Sequence, residues 1–119
     1  MSTKKKNKVG WYYCDVWQVN FYYFIKWDFS SVCSYVKKEF NLDFSFDGEI
    51  GTGRTLMSPN GCFIWIKEKK ADVLVHESVH AAHWITARAG YSVDKYNDEA
   101  FAYLVANIFR QGFKHGATL

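Results

Sequence analysis

At 119 residues, 49% hydrophobic and 19% aromatic, the chain has material for one compact core and little room for a second domain. No window of about 18 apolar residues is present, which excludes a membrane-spanning helix, and no apolar stretch of the signal-peptide kind follows the basic start. The net charge of +3 is unevenly spread: Lys4, Lys5, Lys6 and Lys8 make a basic tail over residues 1–8, expected to be disordered. A short Lys run touches phosphate but reads no bases, so nucleic acid is not the expected partner. Cys14, Cys33 and Cys62 are odd in number and lack a C-x-x-C spacing. They read as free thiols in a reducing cytoplasm.

Residues 9–119 are expected to form the domain. The stretch from Val9 to Trp27 is dense in Tyr, Phe, Trp and Val, which suit a pleated surface, and predicts strands at about Trp11–Cys14 and Val16–Phe24 with a bend near Asp15. A helix then starts at Asp28 or Ser30 and runs to about Phe40, with Val32, Val36 and Phe40 at helical spacing. Asn41 to Pro59 reads as loop with room for one short strand. Its Gly51-Thr52-Gly53-Arg54 lacks the rest of a phosphate-binding signature. Asn60-Gly61 makes a turn into the clearest strand, Cys62 to Lys67. A long helix is predicted from Ala71 to Ala89, ended by Gly90, and a last one from Asp98 to Gln111, ended by Gly112.

The long helix carries His76-Glu77-Ser78-Val79-His80. Two histidines four residues apart on a helix are turned about 40° from each other and displaced about 6 Å along the axis, so both rings can point at one ion. Glu77, on the flank of that face, can reach a water beside the ion instead of the ion itself. The alternative is a helix whose histidines are merely polar surface.

Zinc needs at least one more protein ligand. Glu99, at the start of the last helix, is the first choice, since a helix folded back across the motif helix brings a carboxylate to the ion from outside. His83 shares the face but lies about 10 Å along the axis from His76. Asp98 and His115 remain further candidates.

The His76-Glu77-x-x-His80 core, followed by Asp98-Glu99-Ala100-Phe101-Ala102 opening a helix, resembles the ImmA/IrrE family of small zincin metallopeptidases and is similar to short phage-encoded proteins with the same core. The resemblance covers about Asp72 to Arg110. It implies Zn2+ as cofactor, Glu99 as third ligand, and a bacterial or phage setting, hence the host cytoplasm. A metzincin is excluded, because His83 and Thr86 stand where that group needs Gly and a third His. A late ligand at His115-Gly116, as in SprT-like proteins, is a minor option.

The expected chemistry is hydrolysis of a peptide bond in a protein substrate, with zinc on His76, His80 and Glu99 and with Glu77 as general base. Tyr91, Tyr96, Tyr103, His83 and His115 are the candidate donors to a developing oxyanion. A second possibility is a binding or inhibitor protein that keeps the scaffold and docks on a host factor. A third is a purely structural zinc closed by His83. The expected fold class is α+β: a small, mostly antiparallel twisted sheet packed on the motif helix and the C-terminal helix. Its expected core is Val32, Val36, Ile64, Ile66, Val75, Val79, Ile85, Leu104 and Ile108.

Overall fold

The computed structural model describes residues 8–44, 51–91, 93 and 98–116. Seven elements follow one another as β1 (Gly10–Cys14), β2 (Val19–Ile25), α1 (Phe29–Phe40), β3 (Gly53–Ser58), β4 (Gly61–Ile66), α2 (Ala71–Arg88) and α3 (Glu99–Gly116). The α+β class is as expected. Residues 1–7 of the basic tail lie outside the described residues, while Lys8 is exposed.

The four strands form one sheet in the order β1-β2-β4-β3. Both outer pairings are antiparallel and the middle one, β2 with β4, is parallel. A parallel pair cannot be closed by a hairpin, so the chain crosses from β2 through α1 before β4 is laid down. Alternation then sorts the side chains by face. Phe21, Tyr23, Ile25, Cys62, Ile64 and Ile66 face one way and pack with Leu74, Ala81, Ala82 and Ile85 of α2 and Leu104 and Ile108 of α3. Phe24, Phe63 and Trp65 face the other way, onto Phe29, Val32 and Val36 of α1. Both faces of the central strands are therefore covered, which is why their sequences run nearly continuously apolar.

Several local expectations are corrected. The second strand starts at Val19, not Val16, because residues 15–18 form the turn; Gln18 takes a left-handed φ of 54° and Val16 is 82% exposed. The segment read as loop with room for one short strand does carry one, the six-residue β3. Gly90 does follow the end of α2 with a φ of 74°. Gly112 does not end α3, which continues to Gly116. A Cβ at Gly112 would stand 2.8 Å from Tyr23 Cε1 and 3.1 Å from Leu74 Cδ1, so this glycine permits close packing onto the sheet. Tyr23 is buried there and its hydroxyl donates to Ile108 O at 2.9 Å.

Val75, expected in the core, is 41% exposed, and Val79 is only half-buried. The buried stripe of α2 instead runs through Leu74, Glu77, Ser78, Ala81, Ala82, Ile85 and Thr86. Its two hydroxyls are satisfied within the helix, Ser78 Oγ donating to Leu74 O at 2.7 Å and Thr86 Oγ1 to Ala82 O at 2.9 Å. The small residues of this stripe let sheet and α3 approach closely and leave the two motif histidines on the outside. Among the described residues no helix is long and apolar enough to cross a membrane.

Candidate metal centre

His76 and His80 are exposed on α2 with their rings turned toward one another. Their Nε2 atoms are 3.1 Å apart and the ring planes cross at 78°. Two imidazole nitrogens held tetrahedrally by zinc at about 2.0–2.1 Å stand about 3.3 Å apart, so the pair fits a shared ion closely. In the metal-free chain the same separation suits an N–H···N hydrogen bond between the rings.

Glu77 turns the other way, toward the sheet, and is only 5% exposed. Thr55 Oγ1 on β3 lies 2.6 Å from Glu77 Oε1 and 3.0 Å from Glu77 O. The hydroxyl has one proton to donate, and the shorter contact is with the carboxylate. Gly53 lies beside the second oxygen. A Cβ at that position would stand 3.2 Å from Glu77 Oε2 and 2.7 Å from Val73 Cγ1, so the carboxylate occupies space that any other residue would claim. The two histidines and Glu77 line an open groove of about 430 Å³ together with Gly53, Arg54, Thr55, Met57 and Trp84. A second recess bordered by Asp72, Val73, His76 and Glu77 adjoins the Thr52–Gly53 end of β3.

Sequence reasoning assigned no role to Thr55, Gly53, Met57 or Trp84. The available signal was alternation: positions 53, 55 and 57 share one face of a strand, but the strand itself was submerged in a glycine-rich stretch. Replacing Thr55 with Val keeps the shape and removes the donor. The buried carboxylate is then left without it, and a loss of about 1–3 kcal/mol is expected in urea unfolding of Thr55→Val.

The third ligand is not brought to the pair. Asp98 and Glu99 are exposed at the beginning of α3, and among the described residues no third His, Cys, Asp or Glu converges with His76 and His80. His83 packs against Phe101 of α3, ring centroids 4.6 Å apart, and takes no part in the groove. That contact sets the start of α3 alongside the turn of α2 that follows His80.

His115 lies toward the opposite edge of the sheet, stacked on Tyr23 at 5.6 Å, with Gly10 against it. Tyr91 meets Trp17 edge-on at 6.1 Å, Tyr103 is 71% exposed on α3, and Tyr96 lies outside the described residues. Cys62 sits under the site on β4. Burial, and after it the charge of Glu77, pushes its thiol far up, which favours the protonated form.

Burial chiefly, with the Lys114 charge, lowers the pKa of His115 below its ordinary value, against a hydrogen bond to the Trp11 backbone. The folded chain thus favours the neutral ring. Below about pH 6.5 the unfolded chain takes up this proton first, so the stability contribution is complete above that pH and is lost as pH falls toward the lower folded value. Melting temperatures at pH 7.5 and 5.5 should therefore differ more for the wild type than for His115→Gln.

The fold and site together define an α+β domain whose paired-histidine helix borders an open groove under an edge strand. Compared with protein-family profiles, with curated proteins and with solved structures, the chain gives no significant match.

Proposed function

We propose that the chain is a small zinc-dependent metallopeptidase of the zincin type that hydrolyses a peptide bond in a protein substrate. The observation that carries this is the joint placement of His76, His80 and Glu77: two imidazoles at zinc-ligand separation with a buried, oriented carboxylate in the same groove. His76 and His80 would hold the ion, and Glu99, in the first turn of α3, is the residue proposed to complete the set. The resemblance to ImmA/IrrE proteins supports that choice and a phage or mobile-element setting in a bacterial cytoplasm.

When bound, zinc supplies Lewis acidity at a carbonyl oxygen and at water. The protein's own residues do the rest. Thr55 holds Glu77 Oε1, which leaves Oε2 to take the proton of the attacking water and pass it to the departing amine.

β3 presents the substrate. The bond from Lys67 N–H to Thr52 O at 2.8 Å fixes the ladder alternation, so Gly53, Thr55 and Met57 aim their backbone N–H and C=O groups away from β4. Among the described residues no other strand pairs with that edge. An extended peptide added there would run along the groove that the histidines line with β3.

The exposed position of Glu99, away from the pair, supports an alternative: a docking protein that retains the scaffold and acts on a host factor without hydrolysis. Metal analysis of the purified chain, joined to mass spectrometry of a denatured protein incubated with it, tests the enzyme. Zinc-loaded chain that yields no fragments beyond those of its Glu77→Gln variant would sink the peptidase and leave the docking protein.

A further inference from the structure

One end of the groove differs chemically from the other. Beyond His80, α2 presents Trp84 one turn further on, and β3 presents Met57 opposite it; both are half-buried and packed against the main core. The Arg88 guanidinium lies over the Trp84 ring at 5.2 Å, which restrains the indole where it lines the groove. At the near end the lining is Gly53, Thr55, His76 and Glu77, small or polar throughout.

β3 and α2 run in the same sense: Gly53 adjoins Val73 and Glu77, Thr55 bonds Glu77, and Met57 shares the groove with His80 and Trp84. On a strand added to β3, the residues opposite Gly53, Thr55 and Met57 direct their side chains onto the α2 face. Their spacing of about 6.8 Å matches the rise of about 6 Å from His80 to Trp84. Antiparallel pairing is the more stable arrangement. A peptide bound that way has its N-terminal part at the Trp84 end.

Resting on the peptidase reading above, we infer that Met57 and Trp84 form a side-chain subsite. It selects substrates with a bulky apolar residue, aromatic or long aliphatic, within two positions on the N-terminal side of the bond that is cut. The Arg54 guanidinium lies over Phe29 at 6.0 Å, a residue of the core cluster on the α1 side of the sheet.

The test separates binding from cleavage. The full-length, zinc-loaded Glu77→Gln variant is titrated with capped octapeptides of Ala and Gln carrying one Phe, moved through every position, beside the Phe-free parent. Phe at one position should tighten binding about tenfold, and adding Trp84→Ala or Met57→Ala should erase most of that gain. Circular dichroism confirms folding, and Met57→Ala serves if the Trp84 variant does not fold.

No preferred Phe position, or a gain that survives both substitutions, overturns the subsite. The same peptides given to wild-type chain should be cut only on the C-terminal side of the Phe, and a cut before it overturns the proposed direction. Phe-selective binding without cleavage by the wild type fails the peptidase and keeps the subsite. Cleavage without Phe selectivity does the reverse.

Discussion

Glu77→Gln is expected to keep its zinc and lose turnover by about 10²–10⁴-fold, the range a positioned general base contributes. The amide preserves size and still accepts a hydrogen bond from Thr55 at its oxygen, so the groove should hold its shape. What disappears is the capacity to take a proton. In the proposed site His76 and His80, not Glu77, would hold the metal, so zinc content by mass spectrometry should equal that of the wild type. Equal hydrolysis by wild type and variant would remove Glu77 from the chemistry. Loss of zinc along with activity would make Glu77 a ligand and not a base.

The second large effect is thermal. A metal that binds only the folded chain stabilises it by about 4 kcal/mol when its concentration is a thousand times its dissociation constant. For a domain near this size each kcal/mol moves the midpoint by about 4–8 °C, so zinc should raise melting by more than about 10 °C. His76→Ala removes one of two imidazoles whose Nε2 atoms stand 3.1 Å apart, and His80 with Glu99 falls short of the three protein ligands a zinc site needs. Its melting curve should be the same with zinc and with a chelator. A variant that still melts higher with zinc would place the ion elsewhere. Both histidines are exposed, so the substitution itself costs the metal-free fold little.

The parts legible in the sequence were those written in local periodicity. The motif helix, the strand after Asn60-Gly61, helix α1 and the stop at Gly90 follow from spacing and turn chemistry within a few residues. The failures share a different cause, which is contact between distant segments. Gly112 resembles a helix terminator until Tyr23, far away in sequence, is seen against it. Val75 is as apolar as Leu74, and only the direction of sheet and α3 around α2 decides which is buried. The parallel junction of β2 with β4 leaves no trace in either strand beyond an unbroken apolar run.

The site divides in the same way. His76, Glu77 and His80 could be named from their spacing alone, since one helix aligns them. Thr55 could not, because its meaning depends on β3 being a strand and on that strand bordering α2. Glu99 was chosen for its place at the start of the last helix, and the resemblance pointed to the same residue. The structure sets it in the first turn of α3, and among the described residues no third His, Cys, Asp or Glu converges with the pair.

Every groove-lining residue falls between Gly53 and Trp84, on a hairpin and the helix that directly follows it. The groove is therefore carried on neighbouring stretches of chain, while β1, β2 and α1 pack on the other strands of the sheet. Substitutions among those aromatic residues should change stability more than the position of the groove-lining side chains. The first half of the chain is thus free to diverge while the HExxH helix and its strand keep their working geometry.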